Sequence, residues 1–74
     1  MTVGSVAAIG EQVRVAGLAL AGVDVIVAEE PDTVREAWQD VRGAELVILS
    51  PAAAAVLGPA LLERVPPLTV VMPP

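Results

Sequence analysis

Few residues of this sequence could catalyse a reaction. It contains no His, Cys, Tyr or Lys. With no imidazole, thiol, phenol or amine, only two serines, three threonines and nine carboxylates remain for nucleophilic or acid–base chemistry. The composition therefore disfavours an enzyme, and we expect no catalytic, cofactor-binding or metal-binding residues. The positive charges are all arginines, at Arg14, Arg35, Arg42 and Arg64.

Gly10 and Ser50 are the strongest candidates for a small ligand site. Gly10 follows an apolar run, as in a phosphate-binding turn, but Gly10, Gly17 and Gly22 do not form G-x-G-x-x-G, and a P-loop needs a Lys. Ser50 has no base to activate it as a nucleophile. We therefore predict a tight turn at Gly10 and a helix N-cap at Ser50. A phosphate or small-molecule binder at these residues is the weakest of three functional hypotheses.

The densest acidic group is Glu29, Glu30 and Asp32. Three carboxylates on one turn could hold a hard cation weakly, but no calcium-loop pattern and no His accompany them. They also suit the positive end of a helix dipole. We therefore interpret this group as a solvated helix N-terminus.

Size and charge restrict the classes of partner. The chain has 74 residues and a net charge of -5, which predicts a single domain over residues 1–74 and argues against nucleic acid. The absence of cysteine fits a reducing compartment, and no signal-peptide pattern follows Met1, so a cytoplasmic location is expected. The uncharged run Leu46–Leu62 is broken by Ser50-Pro51 and Gly58-Pro59, so direct membrane insertion is not expected.

Four apolar, β-branched runs predict strands, and the segments between them predict crossover helices over Glu11–Ala21, Pro31–Arg42 and Pro51–Arg64. Because the runs are nearly continuous, they favour parallel strands covered on both faces. The expected fold is α/β: a small, doubly wound, four-stranded parallel sheet of the Rossmann-like or flavodoxin-like type. Its pattern is βαβαβαβ and its predicted strand order is 2-1-3-4. The predicted strands are Val3–Ile9, Val23–Val27, Leu46–Leu49 and Leu68–Met72.

The second connection has the clearest helical pattern. Val34, Ala37, Trp38 and Val41 fall on one face, and Pro31 suits the first helical position. Trp38 is then most simply a core residue, with a partner-facing aromatic as the alternative.

The first connection is apolar nearly all round. We predict that its stripe of Val13, Ala16, Gly17 and Leu20 faces the sheet. The predicted outward residues are Val15, Leu18 and Ala19. Two interpretations stay open: scattered surface apolar residues, which are normal, or a patch that another protein covers.

The stretch Ile9–Val23 resembles the F-subunit of V-type and archaeal-type rotary ATPases and ATP synthases, whose motif reads I-G-D-x-x-T-V-x-G-F-R-L-A-G-V. A P-x-x-V helix start, an ELVILS-type third strand and a P-P-L-x-V-V-x-x-P last strand follow in the family's order. The resemblance covers essentially the whole chain. Matching positions are Ile9, Gly10, Val15, Gly17, Leu20, Ala21, Gly22 and Val23. Of these, the family motif implies structural roles for Gly10, Gly17, Leu20, Ala21 and Gly22.

The resemblance implies a non-catalytic central-stalk subunit that turns with the rotor of an ion-transporting ATPase. Its partner would be the coiled-coil rotor subunit, and it would lie at the membrane only through the complex. Arg14, Leu18 and Ala19 stand where the family more often has Thr, Phe and Arg, so contacts of those side chains would differ. The family continues past its last strand into a C-terminal helix, whereas this sequence ends at Pro73-Pro74, either because the chain was cut there or because it is a short variant, and in both cases regulation through that helix is not implied. The alternative is a free-standing, self-associating interaction module.

Overall fold

The computed structural model describes residues 5–41, 43–63 and 67–73. Its four strands are joined by three helical crossovers. The strands are β1 (Val6–Gly10), β2 (Asp24–Val27), β3 (Leu46–Leu49) and β4 (Leu68–Val71). The α-helices are α1 (Gln12–Val15), α2 (Pro31–Asp40) and α3 (Pro51–Leu57), and two 3₁₀ segments, Ala16–Ala21 and Gly58–Leu62, continue α1 and α3.

The sheet has the order β2-β1-β3-β4, with every neighbouring pair parallel. This confirms the predicted α/β fold and strand order. Ala8 lies beside Ile48, and Ile48 beside Val70. Because side chains alternate along a strand, these residues share one face of the sheet, and Ile9 and Leu49 share the other.

One face of the sheet, here the front face, carries α2 and α3. Ile9, Val47 and Leu49 on the strands are fully buried against these helices, and Trp38 on α2 is only 3% exposed. This confirms Trp38 as a core residue. α2 begins at Pro31, as predicted.

The other face, the back face, carries one crossover. α1 and the 3₁₀ segment after it, together the first crossover (residues 12–21), pack over β1 and β2. Right-handed connections place this crossover opposite α2 and α3, because the chain leaves β1 toward β2 and then turns back toward β3.

The predicted orientation of the first crossover is wrong. Val15, predicted to face outward, is fully buried, whereas Val13 and Leu20, predicted to face the sheet, are 92% and 94% exposed. After one α-helical turn the backbone tightens to 3₁₀ geometry at Ala16. Because 3₁₀ geometry repeats every three residues, half-buried Leu18 lies on the same inward side as Val15. The inward stripe that a 3.6-residue repeat predicts therefore does not form.

Several predicted boundaries shift by a few residues. β1 begins at Val6, three residues later than predicted, and Val3 lies outside the described residues. Arg42 and Arg64, the predicted ends of two connections, also lie outside them. The predicted break at Gly58 is confirmed: its φ is 51°, a left-handed value that glycine adopts readily, and α3 ends just before it. No helix in the described ranges is both long and apolar enough to cross a membrane.

Candidate functional site

The carboxyl ends of β1 and β3 bring Gly10 and Ser50 together, as the strand order requires. This switch point is where open α/β sheets usually bind ligands. A Cβ on Gly10 would lie 2.7 Å from the Ser50 Cβ, 2.8 Å from its Oγ and 3.2 Å from Val15 Cγ1. Glycine is therefore needed here for close approach of the two strand ends, and side chains of the protein itself fill this space. Gly10 is the last residue of β1, and Glu11 alone separates it from α1, so packing and not a turn conformation at Gly10 is what requires glycine.

Ser50 is fully buried and caps α3. Its Oγ accepts a hydrogen bond from the Ala53 backbone N–H at 3.2 Å, which confirms the predicted N-cap. The hydroxyl proton is left to donate to the carboxylate of Glu11. Ser50 is thus engaged in helix capping, and the ionisable group beside its hydroxyl is the Glu11 carboxylate.

Glu11 places a carboxylate at this switch point, next to the Ser50 hydroxyl. The pKa of Glu11 lies below its ordinary value, chiefly because its carboxylate accepts a hydrogen bond from Ser50. A hydrogen bond from the Glu11 backbone N–H and the positive charge of Arg14 lower this pKa further, whereas desolvation of the carboxylate raises it. Oε1 is hidden from solvent and has no hydrogen-bond partner among the described residues. A carboxyl group with a lowered pKa stays ionised at neutral pH, so it is poorly matched to proton transfer there.

The acidic group after β2 has structural contacts. Glu29 Oε2 accepts a hydrogen bond from the Gln12 backbone N–H at 3.2 Å, at the start of α1, and Asp32 pairs with Arg35 at 3.0 Å. The sequence alone did not reveal the link between Glu29 and Gln12, although both follow the carboxyl ends of neighbouring strands. Within residues 5–41, 43–63 and 67–73, no three acidic, His or Cys side chains are grouped to hold a metal ion.

A shallow cavity of about 270 Å³ lies at the opposite end of the sheet. Ser5, Asp24 and Asp40 supply its side-chain oxygens, and apolar or small residues line the rest. Asp24 begins the edge strand β2, where a charge discourages pairing with other chains.

On the back face of β3 and β4, the residues that the structure describes leave an apolar region only partly covered. Leu46, Ile48, Leu68 and Val70 form this β3–β4 strip, paired in register as Leu46 with Leu68 and Ile48 with Val70. Leu68 is 63% and Val70 50% exposed. In parallel sheets both faces are normally covered, so a half-covered back face is unusual.

The outer side of the first crossover is the second uncovered apolar region. It presents Val13 and Leu20, with exposed Ala16, Gly17 and Ala19 between them. Of the three residues predicted at a partner interface, only Ala19 is exposed; Leu18 is half-buried and Val15 belongs to the interior.

The family-motif residues divide into two groups. Gly10 is required by packing, and Gly22 has a φ of 84°, a left-handed value that ends the 3₁₀ segment. Gly17 has open space around the position of a Cβ, Leu20 is exposed and Ala21 is exposed. Among the described residues, these last three therefore lie on the surface and not in the core.

The chain is thus a small doubly wound α/β domain whose switch point is filled and whose back face is half uncovered. The same fold occurs in a solved structure, that of the V-type ATP synthase F-subunit of Archaeoglobus fulgidus, with a TM-score of 0.69 and 21% sequence identity. The match covers 97% of this chain and 100% of that chain. No protein-family model and no curated protein matches the sequence.

Proposed function

We propose that the chain is a non-catalytic central-stalk subunit of a V-type or archaeal-type rotary ATPase. It acts by contact with the coiled-coil rotor subunit and is peripheral to the membrane through that complex. The fold shared with an F-subunit and the motif over Ile9–Val23 support this class of protein. The observation that carries a role in protein contact is the apolar outer side of the first crossover, where Val13 and Leu20 are almost fully exposed.

The filled switch point supports the non-catalytic part of the proposal. Gly10 and Ser50 are in close contact. The Ser50 hydroxyl accepts a hydrogen bond from the first turn of α3 and donates one to the Glu11 carboxylate. An enzyme or nucleotide-binding protein of this fold would use this edge for its ligand. The apolar back face, by contrast, suits a partner that buries apolar surface.

The docking face follows from the corrected orientation of the first crossover. The residues proposed to contact the partner are Val13, Ala19 and Leu20, in place of buried Val15. Half-buried Leu18 lies on the inward side of the same segment. The small Ala16 and Gly17 between them allow a helix backbone to approach closely.

The proposal is tested by measuring the affinity of the chain for the coiled-coil rotor subunit purified from the organism's own cells. Leu20→Glu places a charge on the docking face and is expected to weaken binding at least about tenfold, because the charge would be buried without a partner. Ala55→Glu is the matched control, since it adds the same charge at an exposed apolar position of α3 on the front face. Unchanged affinity of Leu20→Glu would exclude this docking face, and no binding by the unaltered chain would contradict the proposed function.

A further inference from the structure

The net charge of the chain is concentrated in one part of the sequence. Residues 24–40, which form β2, α2 and the loop between them, contain six carboxylates and one arginine. The rest of the chain contains three carboxylates and three arginines. The whole net charge of -5 therefore belongs to β2 and α2, and this part of the molecule attracts positively charged groups.

The cavity at the amino ends of β1 and β2, here the amino-end cavity, lies within this acidic part. Its volume is about 270 Å³, and its lining comes from both strands, the end of α2 and the residues after it. Ala7, Ile26 and Val41 give it apolar walls, and Asp24 and Asp40 bring two carboxylates to it. Apolar walls beside carboxylates suit a cation that is carried on an aliphatic stem.

Asp24 is an unusual residue for its place in the sheet. It pairs with Ala7, which pairs with Val47, so its side chain points to the front face. Ala7 and Val47 belong to the core on that face. A carboxylate therefore stands in line with core positions, and the amino-end cavity is the space before it.

Asp40 is unfavourably placed within its own helix. It is the last residue of α2, at the negative end of the helix dipole, and the last turn of α2 contains no basic residue. Neither Asp24 nor Asp40 has a side-chain hydrogen bond or ion pair with another residue in the described ranges. Two carboxylates in locally unfavourable positions that meet at one cavity indicate a binding function.

The size and shape of the amino-end cavity favour a side chain over a free small molecule. Sites for small molecules usually measure about 300–1,000 Å³ and enclose most of their ligand. The amino-end cavity is smaller and shallow. A side chain that a partner protein presents needs no enclosure by this chain, because the partner itself covers the opening.

We propose that the amino-end cavity binds an arginine side chain of a basic partner protein. A guanidinium group carries several N–H donors in a planar fork, so it can donate to carboxylates on two elements, and it is less strongly hydrated than an ammonium group. Its aliphatic stem packs against Ile26 and Val41. Glu36 lies one turn before Asp40 on the same side of α2, so basic residues beside the arginine meet a carboxylate beyond the cavity.

This site goes beyond the stalk role and is separate from the docking face. Asp24 and Ile26 pair with front-face residues of β1, whereas Val13 and Leu20 lie on the crossover that covers the back face. Both contacts can therefore be made at once. The test of the cavity uses this chain with small probes and no rotor subunit, so its failure and the failure of the proposed function are distinguishable.

NMR titration of the full chain tests the site with three probes. N-acetyl-arginine amide is expected to shift the backbone amide signals of residues that line the cavity, among them Asp24, Gly43 and Ala44. N-acetyl-citrulline amide has a similar shape without the charge, and the guanidinium ion has the charge without the stem. Both are expected to bind at least about threefold more weakly. Equal binding of either one, shifts confined to other residues, or no shifts at all would overturn the proposal.

Variants of the two carboxylates separate a site from general attraction to an acidic chain. Asp24→Asn and Asp40→Asn are each expected to weaken binding of N-acetyl-arginine amide about threefold. Glu36→Gln is the matched control, because it removes the same charge from an exposed position of α2 that does not line the cavity. Its affinity is expected to stay almost unchanged. Equal weakening by Glu36→Gln would show that only the net charge attracts the probe, which contradicts the proposal.

Thermal unfolding of the same variants gives a second readout. Carboxylates that serve binding and not the fold can be replaced without loss of stability, so both Asn variants are expected to melt at or above the temperature of the unaltered chain. Lower melting temperatures for both would assign these carboxylates to the fold and overturn the proposal.

Arg42 is the competing occupant within the chain, because it follows α2 in the sequence and lies outside the described residues. If Arg42 filled the cavity, N-acetyl-arginine amide would bind to Arg42→Gln and not to the unaltered chain. We expect equal binding to both. Binding to Arg42→Gln alone would contradict the proposal.

Discussion

The front and back faces of the same sheet differ in how completely they are covered. On the front face, α2 and α3 bury Ile9, Leu49 and Trp38 almost completely. On the back face, one short crossover covers β1 and β2, while Leu68 and Leu20 remain largely in solvent. The stability of the domain therefore comes mainly from the front face, and the apolar surface available for association lies on the back face.

The front face should respond most strongly to truncation of its aromatic residue. Trp38→Ala removes a buried side chain from the core cluster and is expected to lower the free energy of unfolding by about 3–5 kcal/mol. Urea denaturation followed by circular dichroism measures this loss. Trp38→Phe, which retains most of the apolar volume, is the milder companion variant if the alanine variant does not fold. A loss below about 1 kcal/mol would contradict the assignment of the main core to this face.

The contact between Gly10 and Ser50 should produce the next largest effect. Gly10→Ala places a Cβ 2.7 Å from the Ser50 Cβ, and such overpacking is expected to cost about 1–3 kcal/mol. In a Ser50→Gly background the opposing atoms are gone, so the same change should cost less. Denaturation of the four proteins of this double-mutant cycle measures the coupling. Strictly additive losses would show that Ser50 is not what requires glycine at position 10.

Acid should weaken the switch point through Glu11. The pKa of Glu11 lies below its ordinary value of 4.5, chiefly because of the Ser50 hydroxyl. The stability from this carboxylate is therefore complete above pH 4.5 and is lost as the pH falls through the lowered native pKa. Thermal unfolding followed from neutral to acid pH should show a smaller acid loss in Glu11→Gln than in the unaltered chain. Glu36→Gln, on the exposed side of α2, is the control, and identical acid losses in Glu11→Gln and the unaltered chain would contradict the role of Glu11.

The back face should be the least sensitive region for the stability of the chain. Leu20→Ala is expected to change the free energy of unfolding by less than about 0.5 kcal/mol, because the side chain is 94% exposed. Urea denaturation followed by circular dichroism gives this value. A loss like that of Trp38→Ala would show that Leu20 packs within the domain, and the contrast between the two faces would fail.

Sequence reasoning predicted the front face well. Continuous apolar runs identified the strands, the 3.6-residue repeat of Val34 and Trp38 oriented α2, and Ser50 before Pro51 marked the start of α3. The alternation of elements with right-handed crossovers also favoured the strand order that is observed. These signals succeed because each depends on local spacing or on a cap within a few residues.

The back face was predicted less well, for physical reasons. In the first crossover no polar residue marks the solvent side after Arg14, so the inward residue Val15 could not be distinguished from the exposed Leu20. The change from α-helical to 3₁₀ spacing also shifts which residues share a side. The Gly10–Ser50 contact and the Glu29–Gln12 hydrogen bond join residues far apart in sequence, and only the assembled sheet brings them together.

The central claim is that this chain acts through protein contact as a stalk subunit, and affinity purification from its native cells tests it most directly. The tagged chain, Leu20→Glu and Ala55→Glu are purified in parallel, and the bound proteins are identified by mass spectrometry. We expect the unaltered chain and Ala55→Glu to recover the coiled-coil rotor subunit together with the catalytic subunits of a rotary ATPase, and Leu20→Glu not to recover them. Recovery of the unaltered chain without any rotary ATPase subunit would contradict the claim.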